Sequence, residues 1–288
     1  MVHLLFVCLL FSAFFSSREA LAYIPDFQMI LSRTAENHGH GIYRLEQEVS
    51  FQEGLDSLTA IETWFIKDSQ TMRLEVRGKK GMGSRMGLTY VYDGQQRYYV
   101  DSDGVRRVSR PGDDWYEPFL HFRFQKNIRP TMLVKKMIPS EALEEKTASI
   151  DPLKNQTQQN FLRLSRVGGV VTYGIGVPTA PGQTLLSPGL WIEQDLFNVR
   201  KIQFPSQAIV SADEYSIFSR RLSLAKTITL RWNENNVQIR IISIKALNPT
   251  KEVLQLFDSK SLDYGKNPQL AMILPDNPLI TDFYKRFR

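Results

Sequence analysis

Side chains with chemical potential are sparse in this chain and poorly clustered. Of its four histidines, His38 and His40 flank Gly39 and His121 lies far along the chain; a zinc site would need them to converge with a carboxylate. The first pair sits where a helix should end in solvent. Ser223-Leu224-Ala225-Lys226 has the S-x-x-K spacing of acyl-enzyme hydrolases, and Lys226-Thr227 begins a K-T pair. That chemistry needs its serine at the start of a buried helix, with separate S-D-N and K-T-G elements. The sequence has neither element, and the motif falls between expected strands. Glu46 and Glu48 share a strand face at about 7 Å, a separation usable by an inverting glycosidase, but also that of an ordinary solvated face. Gly81-Met82-Gly83-Ser84 follows Lys79 and Lys80, yet no helix opens after it and no G-K-[ST] or G-x-G-x-x-G is present. It reads as a hairpin tip. No catalytic residue is assigned, neither cofactor nor metal is expected, and the chain reads as a non-enzyme.

Large apolar and aromatic side chains are more informative. Phe51, Trp64, Met72, Leu74, Tyr90, Tyr92, Tyr98, Trp191 and Trp232 fall on expected strands, where they would line a curved sheet able to hold acyl chains or to stack on sugars. Any β core buries aromatics too. Trp115, Phe119 and Phe122 lie on an amphipathic stretch that would close over such a cavity as a lid.

The start of the chain addresses the protein. Residues 1–22 read as a secretory signal, with an apolar run over 4–15 and the small-residue site Ala20-Leu21-Ala22 before Tyr23. The run is shorter than the ~20 residues a membrane-spanning helix needs, so cleavage after Ala22 and a periplasmic protein are expected. Cleavage removes Cys8, the sole cysteine, and with it any internal disulfide or cysteine-ligated metal. The chain of 288 residues carries a formal charge of +6; Arg18 and Glu19 leave together, so that balance survives. In an exported protein a basic surface points to anionic lipid or an acidic partner, not to nucleic acid.

The positioning elements follow from periodicity. Phe27, Ile30, Leu31, Thr34 and Ala35 share one face of a helix with Pro25 in its first turn, stopping near Gly39 and Gly41. The period then drops to two. Strands are expected at 43–51, 58–67, 72–76, 88–92, 97–100 and 105–108, with short turns such as Asp93-Gly94 that impose an antiparallel meander. Asp114 should cap a helix beginning at Trp115, with Pro130 kinking or ending it. Strands resume at 161–166, 170–175, 190–194, 199–204, 208–218, 227–232 and 237–246. In the last, the apolar parity flips between Ile241 and Ile242, implying two buried faces or a bulge. Residues 23–264 are read as one domain with a helical insertion near 115–146, and 265–288 as a Pro-broken tail, either an ordered strap or a frayed end.

With Glu62-Thr63-Trp64-Phe65, Met72-Arg73-Leu74-Glu75-Val76 and Gly189-Leu190-Trp191-Ile192-Glu193-Gln194-Asp195 in this order around a helical insertion, the chain resembles the LolA/LolB-type lipoprotein-sorting proteins over residues 24–246. The resemblance implies a mainly β fold, an unclosed antiparallel β-barrel with a helical lid, and a hydrophobic cavity shielding the acyl chains of a lipoprotein. It implies no catalysis. The function expected is a periplasmic lipid or lipoprotein carrier in outer-membrane lipoprotein sorting, with a membrane-associated donor or acceptor protein as partner. An envelope regulator or assembly protein sensing lipid with the same fold is the alternative, and an envelope hydrolase a more distant one.

Overall fold

A computed structural model describes residues 25–53, 56–79, 81–82, 86–94, 96–116, 118, 125–137, 161–265 and 267–288. The expected signal segment, Phe119, His121, Phe122 and residues 138–160 lie outside these residues.

Helix α1 (Phe27–Glu36) is capped by Asp26, whose carboxylate accepts from the Met29 amide, and it buries Ile30, Leu31, Thr34 and Ala35. The expected apolar face is there, but Pro25 precedes the cap instead of entering the first turn. Six strands then run as a meander: β1 (Ile42–Glu53), β2 (Asp56–Ile66), β3 (Thr71–Gly78), β4 (Gly87–Asp93), β5 (Gln96–Val100) and β6 (Arg106–Ser109). Their turns are built by side chains. Asp68 accepts from the amides of Gln70 and Thr71, and Asp101 from those of Asp103 and Val105.

The insertion departs from expectation. Residues 113–116 form a turn and coil, so Trp115 starts no helix; instead α2 spans Gln125–Val134 with Pro130 inside it. Asp114 is not a cap because its carboxylate binds Ser206 and Arg286.

A second meander follows: β7 (Leu162–Val167), β8 (Val170–Ile175), β9 (Gly189–Glu193), β10 (Val199–Gln203), β11 (Ile209–Ile217), β12 (Ser223–Trp232) and β13 (Asn235–Leu247). β12 begins earlier than expected, so the S-x-x-K motif lies within a strand. The two meanders join through β1 and β13, giving among the described residues one antiparallel sheet of thirteen strands, in the order β6-β5-β4-β3-β2-β1-β13-β12-β11-β10-β9-β8-β7. Its end strands β6 and β7 do not pair, so the curved sheet stays unclosed. The parity flip in β13 is a bulge: Glu46 pairs with Ser243 but Gln47 with Ile241, leaving Ile242 exposed.

Most of the buried apolar side chains lie on one face of the sheet, the inner face. Beyond β13 the chain passes helix α3 (Lys251–Gln255) and follows the outer face, where Leu262 and Leu270 pack on Val91 and Val100. Arg73 holds this strap by donating to Ser261 Oγ at 2.8 Å. Isolated bridges join Ile273 to Gly87 and Ala271 to Val100. The chain then enters the inner face as α4 (Pro278–Phe287). The expected tail is an ordered strap ending in a buried helix.

Candidate functional site

Cross-strand register assembles the inner face. Leu45 lies opposite Trp64, Trp64 opposite Leu74 and Leu74 opposite Tyr90; in the adjacent row Tyr43, Ile66, Met72 and Tyr92 line up across the same strands. Trp64 stacks on Tyr92 with ring centres 5.7 Å apart, and Tyr92 in turn meets Tyr90 and Trp115 at 6.1 and 5.9 Å. Burial pushes the phenols of Tyr90 and Tyr92 above the ordinary tyrosine range.

Helix α4 lies against this surface. Asn277 caps it by accepting from the Ile280 amide, Pro278 takes the first turn, and Ile280, Phe283, Tyr284 and Phe287 form the buried stripe. Phe283 meets Phe51 edge-on at 5.1 Å, and Phe287 meets Trp232 at 4.9 Å. Trp232 Nε1 also donates to Asp282 at 2.8 Å. Gly112 lets the strand-to-insertion segment touch the helix, since a Cβ there would lie 2.4 Å from the Arg286 carbonyl oxygen.

A polar spine runs under the helix end. Glu62, on β2, accepts from Gln47 Nε2 at 2.7 Å, Trp64 Nε1 at 3.0 Å and Arg288 Nε at 2.9 Å. Arg97 donates to the main-chain oxygen of Arg288. The Arg288 guanidinium sits 4.7 Å from the Phe283 ring centre, 5.2 Å from Tyr116 and 5.7 Å from Trp64. Burial alone disfavours its charge, but Glu62 and Tyr116 reverse this and hold Arg288 above the usual arginine range. A buried pair of this kind is stable only while both members remain.

Of the expected cavity residues, Phe51, Trp64, Met72, Leu74, Tyr90, Tyr92 and Trp232 meet on the inner face. Tyr98 and Trp191 do not. Tyr98 lies opposite Val91 and packs with the outer cluster under the strap, because its neighbours Arg97 and Tyr99 take the inner parity. Trp191 is outward for the same reason, between inward Leu190 and Ile192, where it covers Gly174 and Gly189 and has Lys201 4.5 Å above its ring. Trp115 faces the inner aromatics from coil. Sequence reading missed Glu62, Arg97, Phe283, Phe287 and Arg288. The signal was present in Asn277-Pro278 and the 280, 283, 284, 287 spacing.

The chemical candidates stay apart. Ser223 is buried and 2.8 Å from Asn198 Oδ1, whereas Lys226 is exposed. Glu48 is ion-paired to Lys79 at 2.5 Å and Arg240 at 3.1 Å, and Glu46 to Arg44 at 2.8 Å. Among the described residues no group of three or more His, Cys, Asp or Glu side chains could hold a metal. On the outer face, a polar groove of about 340 Å³ lies between β1–β4 and the strap, lined by residues including Arg44, Arg73, Glu75 and Gln269.

An unclosed antiparallel sheet with helices against its inner face is an architecture shared with solved structures. A putative outer membrane lipoprotein-sorting protein domain from Vibrio parahaemolyticus superposes with a TM-score of 0.50 at 11% identity, over 82% of this chain and 97% of its own. A LolA superfamily protein from Nitrosomonas europaea gives 0.50 at 11%, over 80% and 97%. The chain has the LolA-like fold. A DUF1329 family protein from Desulfovibrio piger, at 0.50 and 9% identity over 82% and 97%, shares this LolA-like architecture. No family model matches the sequence, and no curated protein does.

Proposed function

We propose that this is a periplasmic lipid- or lipoprotein-binding protein whose inner sheet face takes up acyl chains, with α4 occupying that face when cargo is absent. The observation that carries the reading is the aromatic inner face covered by a helix that belongs to no strand of the sheet. Burying a side chain such as Phe283 or Ile280 contributes about 1.5–3 kcal/mol, so the four on α4 contribute on the order of 6–12. An acyl chain at about 0.8 kcal/mol per methylene reaches the same range with some sixteen carbons. Cargo and helix are thus matched competitors for one surface.

Lipoprotein sorting to an outer membrane, with a membrane-associated donor or acceptor, is the specific role this reading favours. It involves no catalysis by the inner face, where Gln47, Glu62 and Arg97 belong to the spine that holds Arg288. The Glu62–Arg288 pair favours a second reading, an envelope regulator or assembly protein whose interior is permanently filled. Thermal unfolding with added diacylated lipopeptide separates the two. A ligand present at a hundred times its Kd stabilises by about 2.7 kcal/mol, so a carrier shifts its Tm upward; an unchanged Tm supports the filled interior and defeats the carrier.

A further inference from the structure

Several exposed apolar side chains gather at one end of the sheet, and the inner-face reading does not use them. Val134, at the end of α2, is 77% exposed, and Leu185, in the loop between β8 and β9, is 68% exposed. Leu186 and Val177 in that loop are exposed as well. These segments are joined. Leu186 exchanges hydrogen bonds of 2.9 and 3.0 Å with the Gln207 side chain in the turn after β10. Lys135, next to Val134, sits 5.6 Å from the Phe204 ring before that turn. At Gly176, beside Val177, a Cβ would lie 3.3 Å from the Met137 carbonyl oxygen.

Cations adjoin these segments. Lys136 is exposed, Arg163 donates to the Gly176 carbonyl at 2.6 Å, and Lys201 lies over the partly exposed Trp191. Exposed leucines and valines beside a tryptophan and basic groups are the side-chain types that meet a bilayer surface, with its acyl region, interface and anionic headgroups. We propose that this rim, formed by the end of α2 and the β8–β9 loop, docks the protein on an anionic lipid bilayer. The rim lies beside the segment whose Trp115 touches the inner aromatics, so docking would bring the inner face next to the membrane. Its purpose rests on the lipid-handling reading, but its geometry does not.

The test is co-sedimentation of the purified mature protein with vesicles of phosphatidylethanolamine and phosphatidylglycerol, compared with phosphatidylcholine alone. The double variant Leu185→Asp, Leu186→Asp and the separate variant Val134→Asp remove the tips from two different segments. Ile242→Asp, on the exposed bulge of β13, is the control. Loss of about tenfold or more in vesicle affinity for each rim variant, with the control unchanged and phosphatidylcholine bound weakly, is the expected result. Rim variants that bind like the wild type, equal loss in the control, or a wild type that ignores anionic vesicles would overturn the proposal. So would self-association of the wild type that the same substitutions abolish, since the rim would then join two copies. Lipopeptide uptake, read separately by native mass spectrometry, keeps the two ideas apart: lost uptake with intact vesicle binding defeats the carrier and leaves the rim.

Discussion

The Arg288 guanidinium lies 2.9 Å from the Glu62 carboxylate at the centre of the inner face, with both side chains almost wholly removed from water. Removing either partner strands a charge in an apolar interior. Arg288→Met or Glu62→Gln should each cost about 3–5 kcal/mol in urea unfolding. Glu62→Gln combined with Arg288→Met should cost less than the sum, with a coupling of about 1–3 kcal/mol. Additive losses would show that the pair does not anchor α4.

Gly112 presents a different constraint, a backbone contact with α4. Gly112→Ala forces a methyl group against the Arg286 carbonyl, 2.4 Å away, so the helix or the segment must move. A lower Tm together with faster proteolytic cleavage near α4 is expected. A wild-type Tm and cleavage pattern would mean that the two segments separate freely.

Stability should vary with pH above neutrality through Lys135. Burial lowers its pKa from 10.5 to about 8, so between those values the unfolded chain binds more protons than the folded one and stability rises with pH. Below about 8 both states carry the charge and the burial penalty is constant. Tyr90, Tyr92, Tyr116 and Tyr284 act oppositely, since burial raises their folded pKa values; stability they preserve below 10 is lost as pH rises further. Unfolding curves should therefore show stability climbing from pH 8 toward 9.5 and falling beyond 10. Lys135→Met should be more stable than wild type at pH 7 and should lack the climb.

In β13, Ile239 and Ile242 are three positions apart and face opposite sides of the sheet, Ile239 buried and Ile242 exposed. Ile242→Lys should change stability by no more than about 0.5 kcal/mol, while Ile239→Lys, buried opposite Val49, should prevent folding or cost more than about 4. Circular dichroism and thermal melts of the two variants decide the matter. Equal effects would mean that Ile239 and Ile242 do not face opposite sides of the sheet.

Strands were the most legible part of the chain. Alternation, runs of β-branched and aromatic residues and turn signals together located the thirteen strands of the described residues, and the flip at Ile241–Ile242 marked the bulge. Pairing of β1 with β13 was not legible, since the partners are separated by nearly the whole sheet and no local pattern records the contact. Tyr98 and Trp191 were read as inward on residue type, whereas parity of their neighbours places them outward. Trp115 was put in a helix on its Asp114 neighbour, whose carboxylate instead answers Ser206 in the turn after β10 and Arg286 on α4. Helix α4 had a readable cap and stripe, yet Pro268, Pro275 and Pro278 drew attention to breakage instead of to Pro278 as a helix starter.

Exchange of α4 for an acyl chain is the central claim, and native mass spectrometry of wild type and Phe283→Ala after incubation with diacylated lipopeptide tests it most directly. Phe283→Ala removes the ring that fills the space beside Phe51, costing about 3–5 kcal/mol of helix docking and folding, so it should hold lipopeptide at lower concentration than wild type, which should also show the adduct. Bare protein masses for both, with the variant still folded, would contradict the account.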